Sequence, residues 1–323
     1  MNAPLTRPLA GPARIEINEV APRDGLQIEP VTVPTEGKVA FVNALAHCGF
    51  ARIEATSFTS ARAIPALADA EAVMHQVERV PGVRLTVLVP NLRGLERALS
   101  CHPDEVNLVM SSSETHNRAN LRMTREQSKA QLLAMIAEAG KANVPVNVSL
   151  STVFGCPFEG DVSDAEVMAL AQTFADAGAA GITLCDTTGM AYPNQVAGLC
   201  DTFQRQLPQT GLTIHLHNTR GMGLANALAA WQTGVTRFDA AAGGLGGCPY
   251  APGASGNVST EELVHMFASM GVDTGVDLDA LLAVVGGVSE LVQRDVASQL
   301  LRAGPRLRTH QPPAWMSEFF ANA

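Results

Sequence analysis

The sequence predicts an α/β fold, a (β/α)8 TIM barrel with extra C-terminal helices, and three observations predict it. Eight short strand-like runs are spread between residues 14 and 242. Segments with apolar residues at helical spacing separate them, the alternation that builds a parallel sheet. No G-x-G-x-x-G follows the first run, so the main signature of an open dinucleotide-binding sheet is missing, and a count of eight favours closure.

In chain order the runs are RIEINEV (14–20), ARIEATS (51–57), RLTVLVP (84–90) and EVNLVMS (105–111). They continue as VNVSLST (146–152), GITLCDT (181–187), TIHLHNT (213–219) and TRFDAAA (236–242). Helical spacing is plain in 126–142 and 164–178. Thr35, Thr124 and Pro193 mark helix starts, and Gly49, Gly140 and Gly178 mark helix ends. Residues 1–13 read as a disordered lead without the apolar core of a secretory signal. The catalytic domain spans 14–303, with two helices expected between about 275 and 303 and an irregular tail over 304–323.

Composition excludes several classes. A net charge of −9 and 5% aromatic residues argue against nucleic acid, which needs clustered Lys and Arg or stacking platforms. No apolar run approaches the roughly 20 residues of a membrane span. The six cysteines, Cys48, Cys101, Cys156, Cys185, Cys200 and Cys248, lack zinc-type pairing and read as free thiols of a cytoplasmic protein.

A barrel carries its chemistry at the C-terminal ends of its strands. There the sequence places Glu19, Arg23 and Asp24, then Glu54 and Ser57, the stretch SSSETHNR, Asp186, and HLHN. His215 and His217 are two apart on a strand and face one side, so with a carboxylate such as Asp24 they suit a divalent metal. An isolated H-x-H is more often a hydrogen-bonded pair, and Asp24 or Asp186 alone can close a turn; their convergence on one rim favours the metal. The segment GGLGGCPYAPGASGN (243–257) has six glycines around Cys-Pro-Tyr, unlike a Ser-rich linker. It reads as a mobile catalytic loop with Cys248 as acid or base and Asn257 able to lend an oxygen to the metal. The three lysines, Lys38, Lys129 and Lys141, all fall in helical segments, which argues against a Schiff-base aldolase.

The motifs EVAPRDGLQ, IEATSF, GCPFEG, HLHN, and the glycine-rich loop followed by STEEL resemble the 3-hydroxy-3-methylglutaryl-coenzyme A lyases, from about residue 15 to 300. The resemblance implies cleavage of an acyl-CoA thioester to acetyl-CoA and acetoacetate with Mg²⁺ or Mn²⁺, and a place in leucine degradation. It implies metal ligation by Asp24, His215, His217 and Asn257. It also implies that Arg23 binds the thioester carbonyl, Cys248 transfers a proton, Glu54 and Asp186 support that transfer, and Glu261 braces Arg23 or the loop. A homodimer or higher homo-oligomer is expected.

Three stretches depart from the family pattern: Asn218-Thr219-Arg220 for Asp-Thr-Tyr, Ile28 for Asn, and Thr188-Gly189-Met190 for Ile-Gly-Val. The first makes the rim more positive and raises a second substrate, citramalyl-CoA, cleaved to acetyl-CoA and pyruvate. An amidohydrolase would carry H-x-H on the first strand and often a lysine. A condensing synthase of the same superfamily would have a longer C-terminal region, and a non-catalytic barrel would show gaps in the constellation.

Overall fold

β-Branched and aliphatic runs that are buried on both faces suit strands covered by helices, and the chain uses them that way. A computed structural model of the chain describes residues 9–247, 256–313 and 315–316. Eight parallel strands close into a barrel in sequence order. They are β1 (Glu16–Glu19), β2 (Arg52–Ser57), β3 (Arg84–Leu88), β4 (Glu105–Ser111), β5 (Val146–Ser151), β6 (Gly181–Asp186), β7 (Gly211–Leu216) and β8 (Arg237–Ala240). Ile17 faces Phe238 where β1 meets β8 and the barrel closes.

The outer layer comprises α1 (Thr35–Ala46), α2 (Ala70–Gln76), α3 (Leu92–Leu99), α4 (Glu114–Leu121), α5 (Arg125–Lys141), α6 (Asp164–Asp176), α7 (Pro193–Gln206), α8 (Gly223–Gln232) and α9 (Thr260–Ser269). Three helices follow, α10 (Leu278–Gly286), α11 (Val288–Val292) and α12 (Gln299–Ala303), where two were expected. Ile53, Leu85, Val106, Val148 and Ile182 are fully buried in the apolar layer of the strands. No helix among the described residues is long and apolar enough to cross a membrane.

The barrel's interior is polar. Asn107 Nδ2 donates to Glu54 Oε1 at 2.9 Å, and Asn147 Nδ2 donates to Asn107 Oδ1 at 3.0 Å and Thr183 Oγ1 at 2.8 Å. Ser149 Oγ donates to the same Asn107 oxygen at 2.9 Å. The buried amides of Asn107 and Asn147 thus find partners, as burial demands.

Local chemistry explains where the expected boundaries move. Thr124 caps α5 through a reciprocal box with Gln127, as its position predicts. Thr35 caps nothing: its hydroxyl donates to Asp69 Oδ2 at 2.7 Å, beside a buried Lys38–Asp69 ion pair of 2.5 Å that ties α1 to α2. Gly140 does not end its helix; α5 runs on to Lys141, and Asn143 makes the left-handed turn at φ 55°. Part of the expected disordered lead is also held. Trp231 Nε1 donates to Pro12 O at 2.9 Å, and Asp273 N donates to Ala13 O at 2.9 Å. Five cysteines, Cys48, Cys101, Cys156, Cys185 and Cys200, are free and buried.

Candidate active site

The chain leaves β1 through a single π-helical turn, Ala21–Gly25, whose Asp24 N–H donates to Val20 O at 2.8 Å. Pro22 suits the turn's start because it has no N–H to leave unpaired. The turn brings Arg23 and Asp24 onto the C-terminal rim. Arg23 Nε donates to Glu54 Oε2 at 2.5 Å, and its Nη1 reaches Asp24 Oδ1 at 2.6 Å. The guanidinium is therefore oriented from both sides and fixed by buried carboxylates.

Asp24 Oδ2 accepts a hydrogen bond from Asn257 Nδ2 at 2.7 Å. Burial alone would raise the Asp24 carboxyl, but Arg23 and the two imidazoles hold it down to about 2. His215 and His217 approach Nε2 to Nε2 at 3.2 Å. Burial, then the neighbouring His215, drops His217 to about 3, so it stays neutral, as a metal ligand must be. One ligand atom from each of Asp24, His215 and His217 lies within 4.8 Å of the others. Asn257 Oδ1 is buried without a hydrogen-bond partner among the described residues. Two imidazoles, an ionised carboxylate and an orphaned amide oxygen fit a divalent cation with mixed N/O preference.

The other expected site residues fall in different places. Glu54 sits under Arg23, and burial raises its carboxyl although Arg23 and Asn107 pull it down. Asp186 Oδ1 accepts from Met190 N at 2.7 Å and Ala191 N at 3.2 Å, while its Oδ2 is buried without a partner. Burial lifts this carboxyl to about 6 despite those two bonds. Glu261 does not brace Arg23. Its Oε2 accepts from Gly243 N at 3.1 Å, so it holds the base of the glycine-rich loop instead. Gly243 and Gly244 take φ of 67° and 64° there, in the left-handed region that glycine enters most readily. Cys248 lies outside the described residues.

Asn218 and Arg220 are both engaged in holding rim loops, and the Arg220 charge is felt at Asp186. Asn218 Oδ1 accepts from Gly223 N at 3.0 Å at the start of α8. Arg220 Nη1 donates to the carbonyls of Thr188 and Gly189, at 3.1 and 2.8 Å, and laces two rim loops together. Neither residue lines the cavity of about 180 Å³ beside the triad; His116, Asn120, Cys185 and Thr187 do.

Sequence reasoning missed three groups. Asp239 on β8 faces His215 across the β7–β8 ladder and accepts its Nδ1–H at 3.2 Å. An acid between Phe238 and Ala240, inside a strand run, was the available signal. Glu19, noted at the rim without a role, accepts from Ala21 N, Ala242 N and Thr260 Oγ1 at 2.8, 3.0 and 2.8 Å. His116, buried in α4 with Nδ1 2.6 Å from Ser111 Oγ, lay in the rim stretch SSSETHNR without being singled out.

The HMGL-like family profile matches residues 14–288. The chain belongs to the HMGL-like family. It is 43% identical over 291 residues to the hydroxymethylglutaryl-CoA lyase YngG of Bacillus subtilis, covering 90% of this chain and 97% of that protein. It is 42% identical over 301 residues to the (R)-citramalyl-CoA lyase of Chloroflexus aurantiacus, covering 90% of this chain and 95% of that protein. A solved HMG-CoA lyase from Acinetobacter baumannii, in complex with coenzyme A and 3-methylmalate, is 46% identical. It superposes with a TM-score of 0.90 over 93% of this chain and 98% of that one. The HMGL-like barrel is thus matched along nearly its whole length.

Proposed function

We propose that this HMGL-like protein is a divalent-metal-dependent carbon–carbon lyase that cleaves 3-hydroxy-3-methylglutaryl-CoA to acetyl-CoA and acetoacetate. The observation that carries the reading is the convergence of Asp24, His215 and His217 within 4.8 Å, with the Arg23 guanidinium held beside them. Asp24, His215, His217 and the free oxygen of Asn257 would hold Mg²⁺ or Mn²⁺. Such an ion, when bound, supplies Lewis acidity that lowers the pKa of a coordinated hydroxyl.

The chain's own groups account for the rest. Arg23 is fixed by Glu54 and Asp24, so it meets the thioester carbonyl already oriented where enolate charge develops. Asp186, lifted to about 6, is tuned to take the tertiary hydroxyl proton near neutrality. As that proton leaves, the carbon–carbon bond breaks, acetoacetate departs as a ketone, and the acetyl-CoA enolate is left. Cys248 is assigned the proton that quenches this enolate. Glu19 and Glu261 hold the stem from which its loop springs. A cytoplasmic site of action fits the five buried unpaired thiols among the described cysteines.

A second reading, cleavage of citramalyl-CoA to acetyl-CoA and pyruvate, is favoured by the nearly equal likeness to the Chloroflexus aurantiacus lyase. With Asn218 and Arg220 engaged elsewhere, the choice between acyl groups rests on cavity residues such as His116, which burial keeps neutral at a pKa of about 4. Purified protein with Mg²⁺ and each thioester in turn decides the matter. Acetoacetate from the first, abolished by chelator, supports the lyase reading and its main substrate. Pyruvate from the second alone moves the assignment to citramalyl-CoA. Neither product, with metal bound, overturns both.

A further inference from the structure

We propose that Asp239 is a positioning residue of the metal centre: it fixes the ring and tautomer of His215 so that Nε2 is bare and aimed at the cation. The inference rests on the metal-dependent reading above. Strand register creates the arrangement. His215 on β7 is the ladder partner of Asp239 on β8, and Asp239 is the ladder partner of Asn18 on β1. Three side chains from three successive strands therefore meet at one level inside the barrel.

Each bond in the row has a fixed sense. A carboxylate only accepts, so the 3.2 Å contact between His215 Nδ1 and Asp239 Oδ2 places the imidazole proton on Nδ1. Nε2 is then left with a lone pair, on the side where His217 Nε2 stands 3.2 Å away. The second carboxylate oxygen, Oδ1, accepts from Asn18 Nδ2 at 2.8 Å, which stops Asp239 from rotating away. Histidine ligands whose second ring nitrogen donates to a carboxylate are oriented and made more basic, and losing the partner typically weakens metal binding about 10–100-fold. His217 has no such support among the described residues, because its Nδ1 is buried without a partner. The orientation of the pair thus depends on the Asn18–Asp239–His215 row.

A purely structural ion pair would fill the same space but would leave metal affinity alone. The test is Mn²⁺ titration of the full chain without substrate, with free Mn²⁺ read by electron paramagnetic resonance, for wild type, Asp239→Asn and Asn18→Ala. Metal-free thermal unfolding of each is measured in parallel. Asp239→Asn preserves shape but presents an N–H₂ to one of two donors, so its Mn²⁺ dissociation constant should rise about 10–100-fold. Asn18→Ala leaves the His215 bond in place and should show a smaller rise, and it carries the test if Asp239→Asn does not fold. Wild-type affinity in a folded Asp239→Asn protein, or in Asn18→Ala if that alone folds, overturns the proposal. A wild-type chain that binds no Mn²⁺ overturns the metal-dependent reading itself, a result separable from the first.

Discussion

Asn257 donates through Nδ2 to Asp24 Oδ2 at 2.7 Å and to Leu245 O at 2.9 Å, so the end of the glycine-rich segment is fastened to the turn that carries Asp24. Gly246 makes this contact possible. It adopts φ 102°, and a Cβ there would come within 2.5 Å of Asn257 Nδ2 and 3.2 Å of Asp24 Oδ2. Gly246→Ala should therefore displace the amide, weaken Mn²⁺ binding by about tenfold or more, and lower turnover. Mn²⁺ titration checks this, and unchanged affinity would show that the contact is incidental.

Arg23 and Glu54 form a buried pair, and its two halves should separate under mutation. Arg23→Met leaves the Glu54 carboxylate buried without its cation, an arrangement that typically costs about 3–5 kcal/mol. Combining Arg23→Met with Glu54→Gln removes the stranded charge and should restore much of the unfolding midpoint. Activity should stay low in both, because no cation remains for the thioester carbonyl. Chemical denaturation and steady-state assay of both variants provide the measurement.

Asp186→Asn keeps an oxygen for Met190 N and Ala191 N and removes only the titrating proton site. Turnover should fall about 10²–10⁴-fold, the range of general acid–base assistance, while Mn²⁺ affinity changes little. Full turnover in this variant would move the hydroxyl proton to another group.

Glu19 makes a prediction about pH. Burial raises its carboxyl from 4.5 to about 8 in the folded chain, against three hydrogen bonds that lower it. A folded value above the unfolded one means that Glu19 favours folding below pH 4.5 and loses that contribution as pH rises towards 8. The gap corresponds to roughly 5 kcal/mol at most. Glu19→Gln can keep all three partners, its oxygen accepting the two backbone N–H groups and its amide donating to Thr260 Oγ1. Thermal unfolding of metal-free protein from pH 5 to pH 9 should show the variant gaining on wild type as pH rises. Parallel curves would show that Glu19 ionises freely in the fold.

The barrel was legible in the sequence because its cues are local: eight buried runs, separated by helical periodicity. Asp24, His215 and His217 were legible for the same reason, since strand ends can be read from a run and its successor. Glu261 was left between two partners, Arg23 and the loop, because only the way α9 enters from the loop sets it against Gly243 N. Asp239 escaped because its meaning is a register: only the β7–β8 ladder places it opposite His215. Gly140 misled because a glycine is as compatible with an exposed helix interior as with a helix end, at a cost of about 1 kcal/mol.

The five buried thiols give the protein an internal clock. Cys48, Cys156 and Cys200 are at most 1% exposed, so a bulky disulfide reagent reaches them only when the surrounding layers part. Their consumption over hours reports how often the native state opens and on what timescale. A rate unaffected by reagent concentration would equal the opening rate itself, and bound Mn²⁺ should slow it if the parting that exposes them also breaks the metal centre.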